Sequence, residues 1–87
     1  MQILYHRKFV KNYRKRIAPN QNLTNEFERR LKLFIENPHH PLLKNHKLTG
    51  KKSQYRAFWL TGDFRVVYEK IGSDVRLYDV GTHNQVY

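Results

Sequence analysis

Apolar and polar positions change period along the chain, and the changes mark its elements. Ile3-Leu4-Tyr5 is a short apolar run that reads as a strand. From Arg7 the spacing becomes helical: Phe9, Tyr13 and Ile17 recur every four residues with Val10 beside them, which predicts a short helix over 7–17 with one apolar stripe. Arg7, Lys8, Lys11, Arg14 and Lys15 populate its other faces. Pro19-Asn20-Gln21-Asn22 reads as a turn. A second helix is expected to open on a capping box of Asn25 and Glu28, with Thr24 as the competing cap. Leu23, Phe27, Leu31, Phe34 and Ile35 mark its apolar face, and Glu28, Arg29, Lys32 and Glu36 its wet one. Asn37-Pro38 stops it. Residues 39–45 are expected to be irregular and lead into His46-Lys47-Leu48-Thr49-Gly50.

Beyond Gly50 the pattern is that of strands. Residues 54–60, 64–69 and 75–80 are rich in aromatic and branched side chains, and Thr61-Gly62-Asp63 and Gly72-Ser73 supply the turns of a meander. The last residues, Thr82 to Tyr87, are too few for an independent helix but fit one turn packed on the sheet. The expected architecture is one α+β domain over 1–87: two N-terminal helices on one face of a small twisted antiparallel sheet, joined by 3–5 at an edge or in the middle. Alternation puts Asp63, Arg65, Val67 and Glu69 on one side of the middle strand and Phe64, Val66 and Tyr68 on the other. The helices should cover the apolar side, leaving Arg65 on an open face. His83 and Tyr87, four apart, would share one face of the terminal turn.

Charge narrows the function. The 87 residues carry a formal net charge of +10, with six basic residues and no acid in the first 25. Such an excess calls for a polyanion or an acidic partner. There is no cysteine, so disulfides, thiolate chemistry and Cys-ligated zinc are excluded. Basic residues interrupt the N-terminus before any signal-peptide core develops, and no run is long enough to span a membrane, so a cytoplasmic protein without membrane association is the expectation. No nucleotide-binding glycine motif or metalloprotease motif occurs.

Histidine, arginine and tyrosine around an open basic sheet meet the needs of RNA cleavage without a metal. Internal transesterification requires a base at the 2′-hydroxyl, donors for the phosphorane and an acid for the departing 5′-oxygen. Histidine serves at either end, and arginine offers a fixed fork to phosphate. Each residue also has a structural reading. Arg65 can pair with Asp63 or Glu69, Tyr87 can be a core aromatic, and single histidines commonly lie at the surface. His39, His40 and His46 match no usual zinc spacing, and no metal or cofactor is expected. Lys47, Lys51, Lys52, Arg56, Trp59 and Arg76 form the candidate RNA-binding set, combining cations with aromatic surface.

Leu48-Thr49-Gly50, Tyr55-Arg56-Ala57, Asp63-Phe64-Arg65-Val66-Val67-Tyr68 and the ending Gly81-Thr82-His83-Asn84-Gln85-Val86-Tyr87 together resemble the RelE/ParE superfamily of type II toxin–antitoxin toxins, nearest to its YafQ-like branch of mRNA interferases. The resemblance spans nearly the whole chain and implies a RelE-like fold. It also implies an endoribonuclease that cuts mRNA in the A site of the 70S ribosome without a metal. A cognate antitoxin would neutralise it, and operator DNA would be reached only through that antitoxin. By position, His46 resembles a candidate general base, Asp63 the acidic residue at the hairpin tip, Arg65 the phosphate-binding arginine, His83 a general acid or base, and Tyr87 the aromatic that stacks on or orients the base. Two residues depart from the pattern. Trp59 stands where the branch often has another histidine, and Asp79 where some members have a basic residue, which is expected to weaken phosphate binding there. A ParE-like gyrase inhibitor and a non-catalytic, autoregulatory antitoxin-binding module remain the alternative readings.

Overall fold

The computed structural model describes residues 1–87 and places, in chain order, β1 (Ile3–Tyr5), α1 (Arg7–Arg16), α2 (Gln21–Glu36), β2 (His46–Lys47), β3 (Tyr55–Thr61), β4 (Phe64–Ile71), β5 (Asp74–Thr82) and α3 (His83–Val86). Single 3-10 turns occur at Pro41–Leu43 and Gly50–Lys52. Helix α1 starts where His6 Nδ1 accepts the N–H of Lys8 at 3.0 Å, satisfying a donor that the helix itself leaves unpaired. Arg14, Lys15 and Arg16 occupy its last turn, where cations suit the carbonyl end.

Helix α2 begins four residues before the expected capping box. Asn20 is the cap, its side-chain oxygen accepting the N–H of Leu23 at 3.2 Å. Gln21 and Asn22, read as turn, are helical, and Asn25 and Glu28 lie inside the helix. Two asparagines five apart offer equivalent caps to a reading of the sequence, and the earlier one adds a turn of hydrogen bonds. Phe27 and Phe34 are the buried residues of this helix, with Leu23 and Leu31 packed beside them. Ile35, expected on the same face, is exposed; one residue past Phe34 turns it about 100° away.

The sheet order is β1-β5-β4-β3-β2. It is mixed rather than wholly antiparallel, because β1 pairs with β5 in parallel, Ile3 opposite Val75 and Tyr5 opposite Leu77, while the other pairs are antiparallel. Apolar alternation reports a strand's face, not its direction, so only the paired backbone reveals this.

Both faces of the sheet are packed, unequally. The main core lies under the helices: Phe9, Ile17, Phe27 and Phe34 meet Phe58, Leu60, Val66, Tyr68, Leu77 and Val80. Phe34 stacks on Phe58 with ring centroids 4.7 Å apart. On the opposite face a smaller cluster of Leu48, Ala57, Val67 and Val86 sits beneath α3. A bulge in β5 pairs Val67 with Asp79 but Tyr68 with Leu77, leaving Tyr78 extra. Asp79 is thereby drawn to α1, accepting from Asn12 Nδ2 at 2.7 Å and lying 3.5 Å from Arg16 Nη1 and 3.6 Å from Lys8 Nζ. Asp79, expected from the sequence to weaken phosphate binding on β5, has a structural role here. Its carboxylate is buried and anchors a helix.

Candidate active site

Three elements converge on the open face at the β3–β4 turn. Arg65 is the second residue of β4, Asp63 sits in the turn before it, and α3 follows β5 directly, so that Phe64 pairs with Thr82 and Arg65 with Gly81. The register brings residues 63, 65 and 83 together although 18 residues separate Arg65 from His83. Arg65 Nη1 lies 3.3 Å from His83 Nδ1, its Nη2 lies 3.5 Å from Asp63 Oδ1, and the His83 backbone N–H donates to Asp63 Oδ2 at 3.4 Å. An arginine can only donate, so His83 Nδ1 is the accepting nitrogen and the neutral ring carries its proton at Nε2. Arg65 Nε is buried without a partner.

Helix α3 is held in two ways. Val86 packs into the smaller core, and Lys52 Nζ donates to the Val86 carbonyl at 2.8 Å. At its start the Gln85 side-chain oxygen accepts the Thr82 N–H at 2.8 Å. Gly81 makes room for this arrangement: a Cβ there would stand 2.6 Å from Gln85 Oε1 and 2.8 Å from Arg16 Nη1. Any larger residue before Thr82-His83 would make the ends of these two side chains shift.

Tyr87 bridges the two histidines. Its ring is edge-on to His83 (centroids 4.6 Å, 80°) and to His46 (6.3 Å, 87°), and the Arg65 guanidinium lies 5.4 Å from its centre. His46 Nδ1 is 2.9 Å from the Lys44 carbonyl, which can only accept, so the proton is on Nδ1. Nε2 then accepts a hydrogen bond from the Tyr87 hydroxyl, 3.2 Å away. The result is one imidazole with a lone pair at the cleft, a second with an N–H, and a guanidinium between an acid and an aromatic ring. Proton removal, anion binding and proton delivery are all within its chemical reach.

The family model for the bacterial toxin of type II toxin–antitoxin systems, YafQ, matches residues 1–87. The chain belongs to that family. Its fold is similar to a YafQ mutant from E. coli (22% identity, 99% of this chain and 97% of that one, TM-score 0.83). It is also similar to YafQ in the E. coli DinJ–YafQ complex (22%, 99% and 97%, TM-score 0.81) and to a copper-bound mutant toxin from Helicobacter pylori (22%, 100% and 99%, TM-score 0.80). No curated protein sequence matches.

The remaining candidates of this YafQ-family chain divide by face. His46, Lys47, Lys52 and Tyr87 line a recess of about 310 Å³ beside the histidines, and Lys51 is exposed nearby in the same 3-10 turn as Lys52. Trp59 pairs with Arg65 across the sheet, donates from Nε1 to the Gly62 carbonyl at 2.8 Å, and has Arg30 and Lys44 4.9–5.1 Å from its ring centre. Two candidates lie elsewhere. Arg56 shares the helix-covered side with Phe34 and Tyr68, and its Nε donates to Asn45 at 3.1 Å. Arg76 is ion-paired with Glu69, four residues along β4 from Arg65 and so about 13 Å away. Alternation from Trp59 back to Tyr55 would have excluded Arg56. Lys44, which joins His46, Trp59 and Arg65 around a small recess, was missed; its left-handed backbone (φ 48°) leaves no sequence signal in a lysine. His40 Nδ1 accepts the Leu42 N–H at 3.1 Å, and no three His, Asp or Glu side chains gather as metal ligands.

Proposed function

We propose that the protein is an mRNA interferase: an endoribonuclease that cuts mRNA in the ribosomal A site by attack of the 2′-hydroxyl on the adjacent phosphate. The observation that carries this reading is the Arg65–His83–Tyr87–His46 chain on the open face of a +10 body. His46 Nε2 takes the 2′-hydroxyl proton once substrate displaces the Tyr87 hydroxyl. The alkoxide then attacks phosphorus, forming a 2′,3′-cyclic phosphate and breaking the bond to the 5′-oxygen. Arg65, drawn from His83 to the phosphate oxygens, stabilises the phosphorane with its terminal N–H groups and frees His83 Nδ1 to be protonated. The imidazolium returns a proton to the departing 5′-oxygen, so protons balance. Asp63 holds Arg65 and the start of α3, and Tyr87 stacks on the substrate base. Lys47, Lys51, Lys52 and Trp59 extend the surface along the strand. Cations of the chain itself supply the positive charge, so the scheme needs no metal.

The expected partners are the 70S ribosome with its mRNA, and a cognate antitoxin whose acidic segment covers the basic face; operator DNA is met through that antitoxin. The working compartment is the cytoplasm. Primer-extension mapping on programmed ribosomes tests the reading with wild-type and His83→Ala protein, each with and without chelator. Expected are cuts inside the A-site codon that chelator leaves unchanged and the variant loses. Absence of cuts with persisting toxicity and inhibited supercoiling would turn the assignment to gyrase. A silent, non-toxic protein that still binds its antitoxin would be the autoregulatory module.

A further inference from the structure

We infer that the cleft on the helix-covered side of the sheet, beside the β4–β5 turn, is a second anion site, shaped for a phosphate monoester. The cleft measures about 270 Å³, and Arg56, Asn45, Tyr68, Lys70, Ser73 and Asp74 stand in its walls. It lies at the other end of β4 from Asp63, and Arg56 projects away from the face that carries Arg65. Arg56 is the one cation of the resemblance motifs that the open face does not use.

Its orientation is set from behind. Arg56 Nε donates to Asn45 Oδ1 at 3.1 Å, the Tyr68 hydroxyl donates to the same oxygen at 2.9 Å, and Asn45 Nδ2 donates to the Pro38 carbonyl at 2.9 Å. The carboxamide is committed on both sides and fixes the guanidinium, whose two terminal nitrogens are left for a ligand. A guanidinium held in place loses little freedom on binding, and its parallel N–H groups match two oxygens of a phosphate. Lys70 and the Ser73 hydroxyl add donors at the rim, where Gly72 (φ 61°) turns the chain. The walls hold one acid, Asp74, with Oδ1 accepting the Gln2 N–H at 2.9 Å. Two cations against one carboxylate suit a single compact phosphate better than a length of nucleic-acid backbone. Free phosphate, a mononucleotide and the 5′-phosphate end of an RNA share that chemistry.

Titration of the ¹⁵N-labelled chain with inorganic phosphate, AMP and a short 5′-phosphorylated RNA tests the site without reference to cleavage. Expected are saturable shifts at Arg56 Nε, the Asn45 side-chain amide and the Gly72 and Ser73 amides. Arg56→Met should weaken binding there about tenfold or more, and Lys70→Gln about threefold. Arg29→Gln, which removes the same charge from the exposed side of α2, should leave it unchanged. Equal affinity for all three probes makes the phosphate group itself the ligand; tighter AMP or tighter RNA assigns the nucleotide or the RNA end. Shifts confined to His46, Arg65, His83 and Tyr87 would overturn the site. So would affinities that neither Arg56→Met nor Lys70→Gln alters. Lys70 is exposed, so its variant decides the matter even if Arg56→Met does not fold.

Discussion

Successive residues of β4 serve opposite faces of the sheet, and the two faces differ in what they leave unfinished. On the helix-covered face Val66 and Tyr68 join Phe58, Leu60, Leu77 and Val80, none more than 2% exposed. The one buried acid, Asp79, has its partners there. On the open face the apolar cluster is four residues, His83 and Asp63 are exposed, and Arg65 Nε has no partner. One face spends its side chains on cohesion. The other keeps donors and acceptors unspent, as a surface must if a charged substrate is to complete it. Fold stability and chemistry should therefore be separable, residue by residue, along the same strands.

The largest effect should fall on the open face alone. His83→Ala is expected to lower cleavage about 100- to 10,000-fold with unchanged thermal melting. A parallel loss of melting temperature would break the separation. Phe58→Ala tests the other face. It should cost about 3–5 kcal/mol in denaturant unfolding while folded protein keeps its cleavage rate, because the lost ring leaves a cavity against Phe34. Asp79→Ala should cost about 2 kcal/mol by freeing buried donors of Asn12 and Arg16. Loss of RNA binding without loss of stability in that variant would return Asp79 to the substrate surface.

Smaller effects sharpen the contrast. Tyr87→Phe keeps the ring beside both histidines but removes the hydroxyl that meets His46. About a tenfold fall in turnover is expected, read as kcat against KM on programmed ribosomes. Smallest is a pH effect shared by both faces. Burial, then Glu28 and Tyr5, raises the Tyr13 phenol above its ordinary 10.0; burial, then the Tyr78 hydroxyl, raises Tyr55. A phenol that holds its proton longer when folded adds stability below pH 10, and that stability fades as pH climbs through the folded value. Melting between pH 9 and 11 should fall less steeply in Tyr13→Phe and Tyr55→Phe.

How much of this was legible in the sequence depends on the kind of signal. The α+β plan was, because period 3.6 gives way to period 2 at Gly50. The open position of Arg65 was too, through its alternation with Phe64 and Val66, and the shared face of His83 and Tyr87 through their spacing. Pairing information was not. The parallel β1, the bulge that sends Asp79 to α1, and the approach of Arg16 and Gln85 to Gly81 depend on which backbone lies alongside which. Arg56 is intermediate: its alternation places it under the helices, but aromatic residues on both sides of β3 blur the pattern. Asn20 and Asn25 are equal as caps until the packing of Leu23 against the core chooses the earlier one.

The pairing of the first strand with the last also sets an order of events in the cell. Gln2 and Asp74, 72 residues apart, are bonded across that junction. During synthesis α1 and α2 emerge with their aromatic stripes and have no sheet to cover, since β3, β4 and β5 are still to come. Contacts so distant along the chain form slowly, and helices waiting for them are sticky intermediates. Arg65 follows both helices in the chain, His83 and Tyr87 come later still, and β5 must be in place before β1 can dock or α3 can turn back over Val67. Arg65, His83 and Tyr87 therefore come together only after β5 has paired with β4. Until then the apolar stripes of α1 and α2 stay exposed, and that interval is when the chain is most open to association.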